Sequence, residues 1–295
     1  MDTDTSSNLT RTLCGMAAVL AVLTLALVII CMPFYGRNNV QLQEAPETVT
    51  TEPVTDPTTE PTEPEETEPD LPPPPPNPYG PLDFQYDRWF LKCQKCESRV
   101  GVDVSGYQGD IDWELVKIAG VDFAMIRLAY RGYETGKLVM DSYAVQNLDQ
   151  TAEFDIPVGV YFFSQATTPE EAVEEAEFVL EAIKDYEITM PIVFDWEYIS
   201  DTARTAHVGR QQLTDCAIAF MDRIKGAGYW PMVYFNVFQT KHNLFLSELT
   251  DYDFWLAMYT DRMRFPYKIK MWQYTSKAHI PGIEGEADLN VMFFD

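Results

Sequence analysis

The segment PIVFDWEY, residues 191–198, ends an apolar run with two carboxylates. Residues 191–194 have the composition of a buried strand, and Asp195 and Glu197 follow with Trp196 between them. Because residues i and i+2 of a strand point to the same face, the two carboxylates are predicted to project together, about 6.5–7 Å apart along the chain. Such acid pairs also occur at solvated strand edges, so the neighbouring strands decide whether this pair marks a functional site.

Seven further runs of β-branched and aromatic residues accompany this strand in the folded part of the chain. Their near-continuous apolar character is typical of strands that are covered on both faces. With the strand at 191–197, the predicted strands lie at 101–105, 122–128, 157–163, 230–236, 253–259, 269–274 and 287–294.

Helical patterns separate the early strands but not the last ones. The segment at 168–186, for example, opens with a threonine cap, a proline and acids in the first turn. Five strand–helix units followed by three strands predict an α/β fold, a TIM-like modified barrel. An open, doubly wound sheet is the alternative, although no glycine-rich phosphate loop follows any of the strands. The five helical segments are 112–120, 141–154, 168–186, 213–229 and 241–249.

Two further carboxylates are predicted to join the pair. Asp103 ends the first strand in GVDVS, and Asp288 lies in the last strand in EADLNV. Catalytic groups of such barrels sit at the C-terminal ends of the strands. Crowded carboxylates beside apolar walls have a raised pKa in at least one of them, so one can protonate a leaving oxygen while another stabilises positive charge on a sugar ring. This is the arrangement that a glycosidase needs.

Aromatic residues near the same strand ends are candidates for stacking on the faces of sugar rings. Side chains of this kind also occur commonly in cores, so their position alone does not assign them to a site. The candidates are Tyr107, Tyr161, Trp196, Tyr234 and Trp272.

The N-terminal segment is predicted to lie outside the fold. Residues 13–32 carry no charge and are long enough to cross a bilayer as a helix. The apolar core of a cleavable signal peptide is shorter, about 7–15 residues. We therefore expect an uncleaved transmembrane anchor, preceded by a cytoplasmic tail at residues 1–12. Secretion after cleavage is the alternative.

Residues 33–97 are predicted to form a disordered stalk rich in proline, threonine and glutamate. Between residues 38 and 81 the chain has ten acids and no lysine or arginine. Such a composition cannot bury enough apolar surface to fold. The stalk would hold a catalytic domain at residues 98–295 away from a membrane. We expect a monomeric, single-pass protein of the cell membrane with its catalytic domain outside the cell.

Charge and cysteine content restrict the partners. The net charge of −25 argues against a nucleic-acid partner, because little basic surface is available to neutralise phosphates. Cys93 and Cys96 form a single C-x-x-C, whereas a zinc site needs a second pair or two nearby histidines. A local disulfide or an inert pair is the interpretation that remains. We predict no metal and no cofactor.

Four separated segments resemble, in order, the motifs of glycoside hydrolase family 25. The members of this family are lysozymes that cleave peptidoglycan after N-acetylmuramic acid, on a barrel of five strand–helix units followed by three strands. The resemblance implies the same fold and activity for roughly residues 100–295. The segments are GVDVSGYQGDIDW, PVGVYFFSQA, PIVFDWEY and MWQYTSKAHIPGIEGEADLNV.

The resemblance also implies roles for individual residues. Glu197 matches the general acid of the family. Asp195 matches the residue that stabilises the transition state or orients the N-acetyl group of the substrate. Four other positions match residues that line or shape the sugar site: Asp103, Asp288, Tyr161 and Gln273.

The leading hypothesis is a membrane-anchored muramidase that acts on the glycan strands of peptidoglycan. It would cleave the β-1,4 bond between N-acetylmuramic acid and N-acetylglucosamine. One alternative is a cell-wall-binding protein or adhesin without turnover, and another is a glycosidase for a different N-acetylated polymer such as chitin. Whether the acetamido group assists the reaction or water attacks directly stays open at this stage.

Overall fold

The computed structural model describes residues 67–294. The predicted cytoplasmic tail, the membrane span at 13–32 and the first part of the stalk lie outside the described residues. Within 67–294, none of the helices combines the length and the hydropathy needed to cross a bilayer.

The described part of the chain alternates strands and helices and then ends in strands alone. Its strands are β1 (Phe84–Asp87), β2 (Phe90–Cys93), β3 (Glu97–Val104), β4 (Phe123–Arg131), β5 (Leu138–Met140), β6 (Val158–Ser164), β7 (Ile192–Trp196), β8 (Pro231–Asn236), β9 (Asp253–Ala257), β10 (Met271–Ala278) and β11 (Ala287–Phe294). Its α-helices are α1 (Trp113–Ala119), α2 (Ala144–Glu153), α3 (Pro169–Ala182), α4 (Arg210–Gly226) and α5 (Gln239–His242).

Eight strands close into a barrel. Their order is β3-β4-β6-β7-β8-β9-β10-β11, and β11 pairs back onto β3. Neighbouring strands from β3 to β10 are parallel, whereas β11 is antiparallel to both of its neighbours. The start of β11 therefore lies at the rim where the other strands end. The closed barrel rules out the open, doubly wound sheet.

Helices follow the first four barrel strands, at the places that the sequence predicts. Two of them have strong start signals. The Asp112 side chain accepts a hydrogen bond from the Leu115 amide at the start of α1, and Thr168 caps α3 ahead of Pro169. After β8 the chain has only the four-residue α5 and a 3-10 turn, where the sequence predicted a helix over 241–249.

Strand alternation separates two layers of buried side chains. One layer fills the barrel interior and is rich in methionine, for example Met125, Met232 and Met271. The other layer lies between the barrel and the helices, where Phe194 of β7 meets Phe220 of α4 with ring centroids 5.5 Å apart. Residues of β7 thus point alternately outward to α4 and inward to the barrel.

The hairpin β1–β2 covers the outside of the last strands, which have no helices of their own. Phe84 packs edge-on against Trp272 and Phe293, with ring centroids 5.1 and 5.8 Å apart. The amide of Leu91 donates a hydrogen bond to the hydroxyl of Tyr274. The hairpin therefore takes the place of the missing helical layer.

This hairpin corrects the predicted boundary of the stalk at residue 97. Residues 84–93 form paired strands, and Phe84, Phe90 and Leu91 are buried in the core that surrounds the barrel. The folded domain therefore begins ahead of residue 84. Cys93 belongs to the same buried cluster and Cys96 packs against it.

Candidate active site

A cleft of about 820 Å³ opens at the rim where the parallel strands end. Backbone carbonyl ends of several strands and the start of β11 converge there, so side chains from distant parts of the sequence meet. Seven of the eight site residues predicted from the sequence line the cleft: Asp103, Tyr161, Asp195, Glu197, Tyr234, Gln273 and Asp288.

Asp195 and Glu197 both face this cleft from the end of β7. Asp195 is buried and Glu197 is partly exposed. Trp196 between them points the other way and is buried outside the barrel, so it is not a sugar-binding residue of the cleft. The two carboxylates thus share the inward face of one strand, as the i, i+2 spacing requires.

Two buried glutamines hold the backbone at the end of β7, where sheet pairing stops. The side-chain amide of Gln165 donates to the carbonyl oxygen of Glu197 at 3.1 Å, and its own oxygen accepts from the Thr205 hydroxyl at 2.7 Å. The Gln239 amide donates to the carbonyl oxygen of Trp196. Since an unpaired buried carbonyl is costly, these bonds fix the position of the strand end that carries Glu197.

Asp103 and Asp288 lie opposite each other on the paired strands β3 and β11. The Oδ2 atom of Asp103 accepts hydrogen bonds from the side-chain amides of Gln273 and Asn290, at 2.9 and 2.7 Å. The Trp255 indole donates to the Asn290 oxygen at 2.8 Å and so orients that amide. Asp103 is therefore held rigidly in the cleft.

Tyrosine hydroxyls complete this network. Tyr234 and Tyr259 each donate to the Gln273 oxygen at 3.2 Å, and this leaves the Gln273 amide pointing at Asp103. The Tyr161 ring packs edge-on against Trp255 inside the barrel. The aromatic rings of these residues line the cleft next to its four carboxyl groups.

Trp272 was predicted to bind substrate, and this prediction is wrong. It is fully buried on the outside of the barrel, beneath Phe84, and its indole nitrogen donates to the carbonyl oxygen of Met258 at 2.8 Å. Alternation along β10 puts Gln273 inside, so Trp272 must point outward.

Burial raises the pKa values of all four cleft carboxyl groups. Burial raises the pKa of Asp103 to about 6, against the hydrogen bonds from Asn290 and Gln273. Burial, with the charges of Asp103 and Glu197, raises the pKa of Asp288 to about 8. The cleft therefore carries fewer negative charges near neutral pH than its four carboxyl groups suggest.

The pKa values of the pair on β7 are raised by similar causes. Burial and the charge of Asp103 raise the pKa of Glu197. Burial raises the pKa of Asp195 well above its usual range, helped by Glu197 and Asp103 and opposed by the Arg127 guanidinium. No hydrogen-bond donor within residues 67–294 reaches the Oδ1 atom of Asp195.

The acidic cleft also contains a cation that the sequence motifs did not indicate. Arg127, in the middle of β4, lines the cleft and forms a salt bridge with the buried Asp141 at 2.7 Å. The available signal was the same as for Asp195: a charge close to the end of a predicted strand, the largely apolar segment DFAMIRL at 122–128. The segment 67–294 contains no cluster of His, Cys, Asp and Glu that could hold a metal ion.

The chain matches the family model described as glycosyl hydrolases family 25 over residues 102–283. It belongs to this family. It is therefore a glycoside hydrolase, and the resemblance found in its sequence motifs is confirmed. The matched residues cover β4 to β10 and reach into β3, and they contain the acid pair on β7.

The chain is also similar to known proteins and to solved structures. Protein YegX of Escherichia coli K12, which is uncharacterised, is 24% identical over 195 residues, 65% of this chain and 68% of its own length. The modular autolysin LytC of Streptococcus pneumoniae is 25% identical with a TM-score of 0.60, over 72% of this chain and 52% of the LytC chain. This chain thus spans about half the length of LytC.

A family 25 glycosyl hydrolase of Bacillus anthracis shares the fold at 23% identity and a TM-score of 0.54. The similarity covers 69% of this chain and 92% of the Bacillus chain. The fold of the described domain is therefore that of family 25.

Proposed function

We propose that this glycoside hydrolase cleaves peptidoglycan at the β-1,4 bond between N-acetylmuramic acid and N-acetylglucosamine. The observation that carries the proposal is the pair Asp195 and Glu197 on one inward strand face, in a cleft with two further carboxyl groups. The similarity to LytC supports the substrate, because LytC is an autolysin and has been solved with a synthetic peptidoglycan ligand.

Glu197 is the proposed general acid. It lines the open cleft, where a glycosidic oxygen can reach it, and its raised pKa keeps the carboxyl protonated to higher pH than an exposed glutamate. The Gln165 bond to its backbone keeps the carboxyl in place while the leaving sugar is protonated.

Asp195 is the proposed partner that orients the N-acetyl group of the substrate. Its Oδ1 atom lacks a donor within the described residues, and an acetamide N–H would supply one. A hydrogen bond to the charged form favours ionisation. Without substrate, burial favours a proton on Asp195, because it is the more deeply buried of the two acids. When the acetamide of the substrate donates a hydrogen bond to Asp195, Asp195 ionises, and Glu197 is then the acid that protonates the leaving group. Ionised Asp195 also stabilises positive charge at the anomeric carbon.

Asp103 and Asp288 are proposed to bind substrate hydroxyl or amide groups at the same rim, together with Tyr161, Tyr234 and Gln273. The fixed hydrogen bonds around Asp103 support a positioning role rather than proton transfer. The reaction proposed here needs neither a metal nor a cofactor.

The N-terminal segment is proposed to anchor the enzyme. The uncharged stretch at 13–32 and the acidic, proline-rich segment after it support a single-pass membrane protein with the catalytic barrel outside the cell. Membrane fractions washed with alkaline carbonate should retain the full-length chain. A chain deleted for residues 1–32 should be released.

Analysis of the new reducing ends tests the proposed reaction. The full-length chain and a Glu197→Gln variant digest purified peptidoglycan, and borohydride reduction is followed by mass spectrometry of the sugars. The proposal expects reduced N-acetylmuramic acid from the wild type and none above background from the variant. Reduced N-acetylglucosamine would mean a different bond. Binding to the wall with no cleavage by the wild type would indicate a binding protein instead.

A further inference from the structure

We propose that Arg127 binds a carboxylate carried by the muramoyl unit of the substrate. This inference rests on the proposed function and extends it, because it names the group of the substrate that a predominantly acidic cleft recognises. An N-acetylglucosamine polymer such as chitin has no such group, so the site would distinguish the two kinds of glycan.

Arg127 lies on the inward face of β4, next to Tyr161 of β6 in the strand register. One strand, β6, separates it from β7 and Asp195. With neighbouring strands about 4.8 Å apart, Arg127 sits on the order of 10 Å along the rim from the acid pair. A substituent of the sugar held at Asp195 can therefore reach it.

One edge of the Arg127 guanidinium is already occupied. Its Nε atom donates to Oδ2 of Asp141 at 2.8 Å, and its Nη2 atom lies 2.7 Å from the same oxygen. Asp141 also accepts from the amides of Gly106 and Tyr143, each at 3.0 Å. Asp141 is thus a buried anchor that fixes the orientation of the arginine.

The other edge of the guanidinium is available to the cleft. An arginine has five N–H donors, and the Asp141 contacts use two of them, one on Nε and one on Nη2. The remaining three find no acceptor among residues 67–294, and the side chain is 16% exposed at the cleft wall. The rings of Tyr107 and Tyr130 lie 5.0 and 5.6 Å from the guanidinium carbon. A planar guanidinium held in this orientation can donate two parallel hydrogen bonds to a carboxylate.

The chemistry of muramic acid provides that carboxylate. Its lactyl ether is attached at C3, next to the C2 acetamide that we place at Asp195, and ends in a carboxyl group. In glycan stripped of peptides this carboxyl is free, whereas in intact peptidoglycan it is amide-linked and the peptide stem supplies carboxylates nearby. Both sources present a carboxylate, which is the group that Arg127 recognises. The raised pKa values of Asp103 and Asp288 reduce repulsion of such an anion.

Three forms of one glycan test the proposal with the full-length chain. They are peptidoglycan with intact stems, amidase-stripped glycan with free lactyl carboxylates, and stripped glycan whose carboxyls have been converted to methylamides. We expect kcat/KM of the wild type to be about 10-fold to 100-fold higher on a carboxylate form than on the methylamide, the usual range for a hydrogen bond to a charged group. If kcat/KM is higher on the stripped glycan, the lactyl carboxylate is the group that binds. If kcat/KM is higher on intact peptidoglycan, a carboxylate of the peptide stem binds.

Arg127→Gln and Arg127→Lys give the second readout. With Arg127→Gln, the ratio of kcat/KM between carboxylate and methylamide glycan should fall towards 1 through a higher KM, and Arg127→Lys should restore part of it. Equal losses on both glycans would overturn the proposal, because they would mean that Arg127 only orients Asp141, which accepts the hydrogen bond from the Gly106 amide. A wild type that cleaves carboxylate and methylamide glycan equally would also overturn it. A wild type that cleaves none of the three would refute the proposed function itself.

Discussion

Asp288→Asn should make the protein more stable at neutral pH and less active. Asp288 pairs with Asp103 in the strand register, and its pKa is raised to about 8 by burial and by the charges of Asp103 and Glu197. An aspartate in an unfolded chain has a pKa of about 3.9. Because the folded-state pKa is the higher one, the contribution of Asp288 to stability is greatest below about pH 4 and is lost as the pH rises from about 4 to about 8.

The size of this effect follows from the pKa difference. Each pH unit inside the window lowers the free energy of unfolding by up to about 1.4 kcal/mol, so the loss between pH 4 and pH 7 is at most about 4 kcal/mol. Relaxation and water entry reduce such penalties, and we expect Asp288→Asn to gain on the order of 2 kcal/mol at pH 7. For a domain of this size, that is a rise in Tm of about 4–8 °C.

Thermal unfolding followed by circular dichroism at pH 4 and pH 7 measures the gain. Asp251→Asn, on the exposed surface, is the matched control and should leave Tm unchanged at both pH values. The reasoning is refuted if Asp288→Asn has the wild-type Tm at pH 7, or if it gains as much at pH 4 as at pH 7.

Three further outcomes follow from the same structure. Phe84→Ala should lower the free energy of unfolding by about 3–5 kcal/mol in urea titrations, because it removes the ring that covers Trp272; an unchanged midpoint would mean that the hairpin does not stabilise the barrel. Gln165→Met should reduce kcat about 10-fold with little change in KM, because it leaves the Glu197 carbonyl unpaired; a change confined to KM would contradict this role. The pH profile of kcat/KM should have its alkaline limb above the pKa of an ordinary glutamate, and this limb should disappear from the residual activity of Glu197→Gln.

The order of strands and helices could be predicted because barrel strands are covered on both faces. Their continuous apolar runs stand out in the sequence, and every barrel strand overlaps its predicted segment. The hairpin at 84–93 could not be found in this way. Its strands have four residues each and follow directly on the proline-rich stalk, and only contacts with Trp272, Tyr274 and Phe293 show where it packs.

The acid pair of the site could be predicted because charges at the end of an apolar strand are rare. The same rule would have found Arg127, but its partner Asp141 lies 14 residues away, ahead of a helix, and no spacing rule links the two. The error at Trp272 was avoidable. Gln273 and Trp272 are adjacent in one strand, so both cannot face the cleft.

Comparing substrates with poor and good leaving groups tests the assignment of roles most directly. Glu197→Gln and Asp195→Asn are assayed on native glycan and on an aryl β-glycoside of the N-acetylglucosaminyl–N-acetylmuramic acid disaccharide, whose leaving group departs without a proton. If Glu197 is the acid, its variant should lose at least about 100-fold on glycan and keep most of its rate on the aryl glycoside, whereas Asp195→Asn should be impaired on both. If Glu197→Gln is equally impaired on both substrates, or if Asp195→Asn alone is rescued by the aryl leaving group, Glu197 is not the general acid.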